Sequence, residues 1–145
     1  VFLSPFYTSE VQTAANAISD PTQKAKALSV VNIPTFIWLD VVAKVPTLGD
    51  QLANASALAA ASGRKYLVQI VVYDLPDRDC AAAASNGEFS IAAGGLTKYM
   101  NYIHQIVAQI TSGLSDGFYV YLINVTFHRQ SFPMSESSLS LSQIR

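Results

Sequence analysis

Apolar positions recur at helical spacing from Glu10 to Val31, with Val11, Ala14, Ala15 and Ile18 on one face. Asp20-Pro21 interrupts that pattern and restarts it. An aspartate carboxylate can cap free amide groups, and proline's fixed φ suits the first helical position. Ala25, Ala27, Leu28 and Val31 carry the second piece. "NIPTFIWLD", Asn32 to Asp40, is a short β-branched and aromatic run that predicts a buried strand ending on a carboxylate. "VPTLGDQLANASALAAASGRK" predicts a turn and then an Ala/Leu-rich helix stopped at Gly63. "YLVQIVVYDLP", Tyr66 to Pro76, is almost continuously apolar, as expected of a parallel strand covered on both faces. A long loop with Gly94-Gly95 leads to "LTKYMNYIHQIVAQI", a helix with Tyr99, Tyr102, Ile103, Ile106 and Ile110 on its apolar side. His104 falls inside that pattern and is read as structural.

The order helix, strand, helix, strand, loop, helix predicts an α/β fold with parallel strands. In such folds, sites form at the carboxyl ends of the strands. Asp40 and the group Asp74, Asp77 and Asp79 fall there. The pattern then changes near Ser112. Phe118 to Phe127 could form one more strand, with no helix after it. "SFPMSESSLSLSQIR" is Ser-rich and has no strong period.

Half of the 145 residues are hydrophobic, enough for one domain with a core. Only 13% are charged and the net charge is -1, so no basic stripe exists to attract nucleic acid or anionic lipid. No apolar run approaches the roughly 20 residues of a membrane-spanning helix. "VFLSPFYTSEV" lacks the basic end, apolar core and cleavage site of a signal peptide. Few lysines and many Ala, Ser, Thr and Tyr residues suit an extracellular enzyme. The single cysteine, Cys80, cannot close a disulfide within this chain.

The chemistry centres on "YDLPDRDCAAAASNGEFS", Tyr73 to Ser90. Asp77 or Asp79 could serve glycoside hydrolysis, which needs a proton donor and a second carboxylate. Arg78 could hold a neighbouring carboxylate ionised. Spacing alone favours an ordinary acidic turn. Trp38, the only tryptophan, either stacks on a sugar ring beside Asp40 or fills the core, and the sequence leaves both open. No cluster has metal-ligand spacing, and Gly94-Gly95 fits no phosphate-binding motif, so neither metal nor cofactor is expected. Asn54-Ala-Ser and Asn124-Val-Thr are glycosylation sequons, a tripeptide that chance also produces.

"FIWLD", "QIVVYDLPDRDC" and "AAAASNGEFSIAAGG" together resemble glycoside hydrolase family 6, the secreted cellulases that cut β-1,4-glucan with inversion. The fungal cellobiohydrolase branch is the most similar type, and the resemblance runs from Val1 to about Ser112. It implies an incomplete distorted (β/α) TIM-like barrel in residues 1–112, with residues 113–145 as a non-family tail. It also implies secretion, a monomeric parent enzyme and binding of cellulose or cello-oligosaccharides. Residue by residue, Asp79 matches the aspartate that influences the proton donor and acts through water on the nucleophile. Ser85 matches a serine that positions that water, and Tyr73 matches a tyrosine against the distorted sugar. Trp38 and Asp40 match sugar contacts. Cys80 matches half of a disulfide whose partner comes later in the family.

One departure matters more than the rest. The family's proton donor lies in an "EPDS" motif on the next strand, and "EPD" does not occur in this sequence. Shifting the reading frame of "SFPMSESSLSLSQIR" by one nucleotide, with allowed codons, gives "FPDVRVVAVIEPDS", an apolar strand ending in that motif. The expectation is that roughly Gly113 to Ser131 is translated intron, followed by exon read out of frame. A chain with two clear strands and open sheet edges should be poorly stable. It should hydrolyse little, and a non-catalytic carbohydrate-binding remnant is the alternative.

Overall fold

The computed structural model describes residues 1–79, 82, 84–113 and 118–124. Four helices, α1 (Pro5–Asn16), α2 (Pro21–Leu28), α3 (Thr47–Ser62) and α4 (Gly95–Gly113), accompany strands β1 (Ile37–Leu39), β2 (Tyr66–Val72) and β3 (Phe118–Asn124). Single 3-10 turns lie at Val42–Lys44 and Ile91–Ala93.

The local signals work as their chemistry requires. The Asp20 carboxylate accepts the Gln23 N–H at 2.7 Å, with Pro21 opening α2 behind it. Gly63 ends α3 in the left-handed conformation, φ 64°, where a Cβ would be strained. α1 begins earlier than its apolar pattern suggested, at Pro5, because the Ser4 side chain caps it by accepting the Tyr7 N–H.

The sheet runs β1-β2-β3 and is parallel throughout. Leu39 pairs with Val72, and Val72 with Asn124. The three strands therefore end level, and the segments that follow β1 and β2 leave the sheet at that end. Leu48, Leu52, Ala55 and Ala59 of α3 repeat at steps of four, three and four and are buried. Tyr102, Ile106 and Ile110 do the same on α4. All of these except Ala59 join Leu39, Val68, Ile70 and Val72 in one core.

Several expectations need correction. The "NIPTFIWLD" strand shrinks to three residues, since Pro34 has no N–H to give a ladder. That strand is not buried throughout: Trp38 is 51% exposed. His104 lies on the exposed face of α4 and is not a core residue, because the buried stripe is set by Tyr102, Ile106 and Ile110. The possible strand at Phe118 to Phe127 does form, as β3 over Phe118–Asn124, and its seven-residue pairing with β2 gives the sheet three strands rather than two clear ones. No helix among the described residues is long and apolar enough to cross a membrane. The tail beyond Asn124, with His128, lies outside the described residues.

Candidate active site at the ends of β1 and β2

β2 ends at Val72, and the chain then carries Tyr73 out of the sheet, with its N–H donated to the Leu39 carbonyl at 3.0 Å. That bond sets Tyr73 beside the end of β1. The Trp38 and Tyr73 rings meet edge to face, centroids 5.5 Å apart and planes at 82°. Trp38 thus keeps half its surface open to solvent at the strand ends, as a sugar-stacking residue would need.

The Tyr73 hydroxyl donates to Asp79 Oδ2 at 2.7 Å. Ser85 acts on Asp79 in the same direction, although its hydroxyl donates to the Ala82 carbonyl at 3.5 Å. The two hydroxyls hold the Asp79 carboxyl below the usual carboxylate range, Tyr73 contributing most. The same bond pushes the Tyr73 phenol up, because losing its proton would set two anions together. Of the residues singled out in the sequence, Tyr73 and Asp79 therefore form a hydrogen-bonded pair, with Trp38 against Tyr73 and Ser85 acting on Asp79. Asp40 lies at the end of β1, half-buried and paired with Lys44 at 2.6 Å. Cys80 lies outside the described residues.

The three aspartates of the loop have three different environments. Asp79 is ionised and hydrogen-bonded. Asp77 accepts the Ile91 N–H at 3.1 Å. Asp74 is fully buried, and burial first of all pushes its carboxyl up to about 6. Its Oδ1 accepts the Glu88 N–H at 3.2 Å. Gly87 lets the returning chain pass over it, since a Cβ there would lie 3.1 Å from the Leu75 carbonyl and 3.4 Å from Asp74 Oδ1.

As its sequence position suggested, Arg78 favours the ionised form of the neighbouring carboxylates Asp74 and Asp79, though it is the last of the causes acting on each. Its guanidinium turns inward over the Tyr73 ring, 4.4 Å from the centroid. Its Nε donates to the Ser85 carbonyl at 3.1 Å, and its Nη1 lies 4.0 Å from Asp74 Oδ1. Its electrostatic effect on Asp79 is the least of the causes acting there. Glu88 was quoted within a motif but given no role. Its carboxylate accepts the Val42 N–H at 2.6 Å, fastening the loop after β2 to the segment after β1. Tyr102 was assigned to the core only. Its hydroxyl donates to the Leu39 carbonyl, and burial pushes its phenol pKa well above the ordinary value. Only long-range contacts reveal these two roles, and no local signal in the sequence marks them.

The chemistry available follows from the protonation states. An ionised carboxylate held by two hydroxyls can accept a hydrogen from water or stabilise positive charge. It cannot donate a proton near neutrality. Asp74 has an acidity suited to proton donation, yet it is sealed from solvent and substrate. No group of three or more His, Cys, Asp or Glu residues that could hold a metal occurs among the described residues.

Comparison with known proteins agrees with this arrangement. The family described as "Glycosyl hydrolases family 6" matches residues 1–122. Exoglucanase 3 of Agaricus bisporus is 62% identical over 110 residues, covering 76% of this chain and 24% of that protein. The 1,4-beta-D-glucan cellobiohydrolase CEL6A of Pyricularia oryzae is 54% identical over 111 residues, covering 76% and 23%. The chain thus spans about a quarter of the length of these relatives. Among solved structures, the CcCel6A catalytic domain complexed with p-nitrophenyl beta-D-cellotrioside superposes with a TM-score of 0.79 at 55% identity, covering 85% of this chain and 34% of that one. Cellobiohydrolase II (Cel6A) from Humicola insolens, in complex with glucose and cellotetraose, gives 0.74 at 41%, covering 85% and 34%. The parallel sheet and its helices are a part of the distorted TIM-like barrel of those catalytic domains.

Proposed function

The chain belongs to glycosyl hydrolases family 6, and from that premise we propose that residues 1–112 form one wall of a cellulose-cleaving site without its proton donor. The carrying observation is the hydrogen bond between Tyr73 and Asp79 beside the half-open Trp38 ring. Cello-oligosaccharide lies across Trp38 and Asp40, with the sugar at the cleavage point against Tyr73. Asp79 stays ionised and acts through a water that Ser85 helps to place, in a reaction that inverts the anomeric carbon. An insoluble polymer as substrate puts the working enzyme outside the cell, and the parent enzyme acts as a monomer without cofactor. Cys80 is half of a disulfide whose other half comes from a later part of the family's domain.

Inversion needs a general acid to protonate the leaving oxygen, and neither Asp79 nor Asp74 can serve. General acid assistance is typically worth ~10²–10⁴-fold. The 145-residue chain therefore cleaves little or no cello-oligosaccharide. Product analysis of purified chain with cellotetraose tests this, and turnover that disappears in Asp79→Ala would refute it. A second reading, a non-catalytic carbohydrate-binding remnant, draws on the exposure of Trp38. It requires tryptophan fluorescence to respond to cellotriose, and binding to vanish in Trp38→Ala.

The division at Ser112 belongs to the same proposal. Roughly Gly113 to Ser131 is translated intron, and the following residues are exon read one nucleotide out of frame. The "FPDVRVVAVIEPDS" reading in the shifted frame supports it. Sequencing the mature transcript across this region tests it. A message that keeps the tail in frame would refute it.

A further inference from the structure

We propose that Asp77 is a positioning residue that fixes where the chain presents the Asp79 carboxylate, an inference that rests on the reading of Asp79 as a site residue. Asp77 and Asp79 have φ 52° and 50°, in the left-handed region where any Cβ is crowded. Glycine occupies this region freely, whereas aspartate does so at a cost. Two such residues within three positions persist only if their surroundings hold the turn.

Asp77 makes those surroundings. Its N–H donates to the Phe89 carbonyl at 2.8 Å, and its Oδ1 accepts the Ile91 N–H at 3.1 Å. One residue thus grips the returning chain at two points. Phe89, the first of the two, is buried, and its ring meets Tyr99 and Tyr102 of α4 with centroids 6.4 and 6.0 Å away. Tyr102 in turn bonds to the Leu39 carbonyl at the end of β1. A continuous path therefore runs from the core through Phe89 and Asp77 to the turn that ends at Asp79. The Arg78 backbone closes the same turn, its N–H bonding to Leu75 at 3.1 Å and its carbonyl accepting from Gly87 at 3.3 Å. None of these contacts touches the Asp79 carboxylate. They set the backbone from which it projects toward Tyr73 and Ser85.

The test separates the tether from the backbone strain. The chain is labelled with ¹³C at tyrosine Cζ and aspartate Cγ, and Tyr73 and Asp79 are assigned with Tyr73→Phe and Asp79→Asn. Asp77→Ala, which loses the tether and keeps the strain, should return the Tyr73 phenol toward ~10 and the Asp79 carboxyl toward ~3.9. Asp77→Gly, which loses the tether and relieves the strain, should show a smaller movement of the same sign. Asp77→Asn keeps an acceptor for Ile91 and tolerates the left-handed turn, so both groups should titrate as in the parent. Asp74 is the control, since general loosening would move it too. Parent-like titrations in Asp77→Gly would overturn the proposal even if Asp77→Ala fails to fold. A loss in Asp77→Asn as large as in Asp77→Gly would also overturn it. No substrate is used, so failure here is distinct from failure of the cellulase reading.

Discussion

Tyr73 donates its phenolic hydrogen to Asp79 Oδ2 across 2.7 Å, and this one bond moves two acidities in opposite directions. It joins the residue that emerges at the end of β2 to the loop carboxylate six positions on. Tyr73→Phe should leave the fold in place and raise the Asp79 carboxyl toward its ordinary value. The depressed folded-state pKa of Asp79 favours folding above the unfolded value of ~3.9, and that contribution fades as pH falls through the folded value. Carboxyl NMR titration of the variant checks the rise. An Asp79 that titrates unchanged would show that the phenol is a bystander.

Asp74 predicts the opposite dependence on pH. Its carboxyl is raised to about 6 by burial, so it favours folding when protonated. The contribution is fully present below ~4 and is lost as pH rises through about 6, amounting to roughly 3 kcal/mol at most. Asp74→Asn keeps an acceptor for the Glu88 N–H and cannot ionise. Urea denaturation at pH 4 and pH 7 should show the parent losing stability over that interval and the variant losing much less.

Tyr102 ties α4 to the end of β1 through the Leu39 carbonyl. Tyr102→Phe removes that bond while keeping the ring, and should cost about 0.5–1.5 kcal/mol, because the Leu39 carbonyl still accepts the Tyr73 N–H. Tyr102→Ala adds a cavity and should cost about 3–5 kcal/mol. The shift of the urea midpoint at constant slope measures both.

The helices and the site differ in how far local sequence determines them. Asp20-Pro21 and Gly63 act through neighbouring backbone atoms, so their signals could be read directly. The α3 and α4 stripes were legible because helical period alone fixes which side chains face the sheet. β1 was overestimated because apolar content does not report how far a ladder extends past Pro34. His104 was misplaced because it sits two residues from Tyr102, about 200° around the helix. In the site, Tyr73, Asp79, Ser85 and Trp38 were singled out, and they do converge. The effect of Arg78 on its neighbouring carboxylates was legible, but its placement over the Tyr73 ring and near Asp74 was not, because it depends on the fold of the turn. Glu88 could not be assigned a role, because its partner Val42 lies 46 residues away on another strand's exit.

The central claim is that residues 1–112 carry a working half of a family 6 site that lacks only what the rest of the domain supplies. A chimera tests it most directly, with these residues replacing the matching segment of the Agaricus bisporus relative, assayed on cellotetraose. The account predicts that the chimera hydrolyses the substrate and that Asp79→Ala within it lowers kcat by about 10²-fold or more. A folded chimera without activity, or one whose rate is indifferent to Asp79, would contradict it.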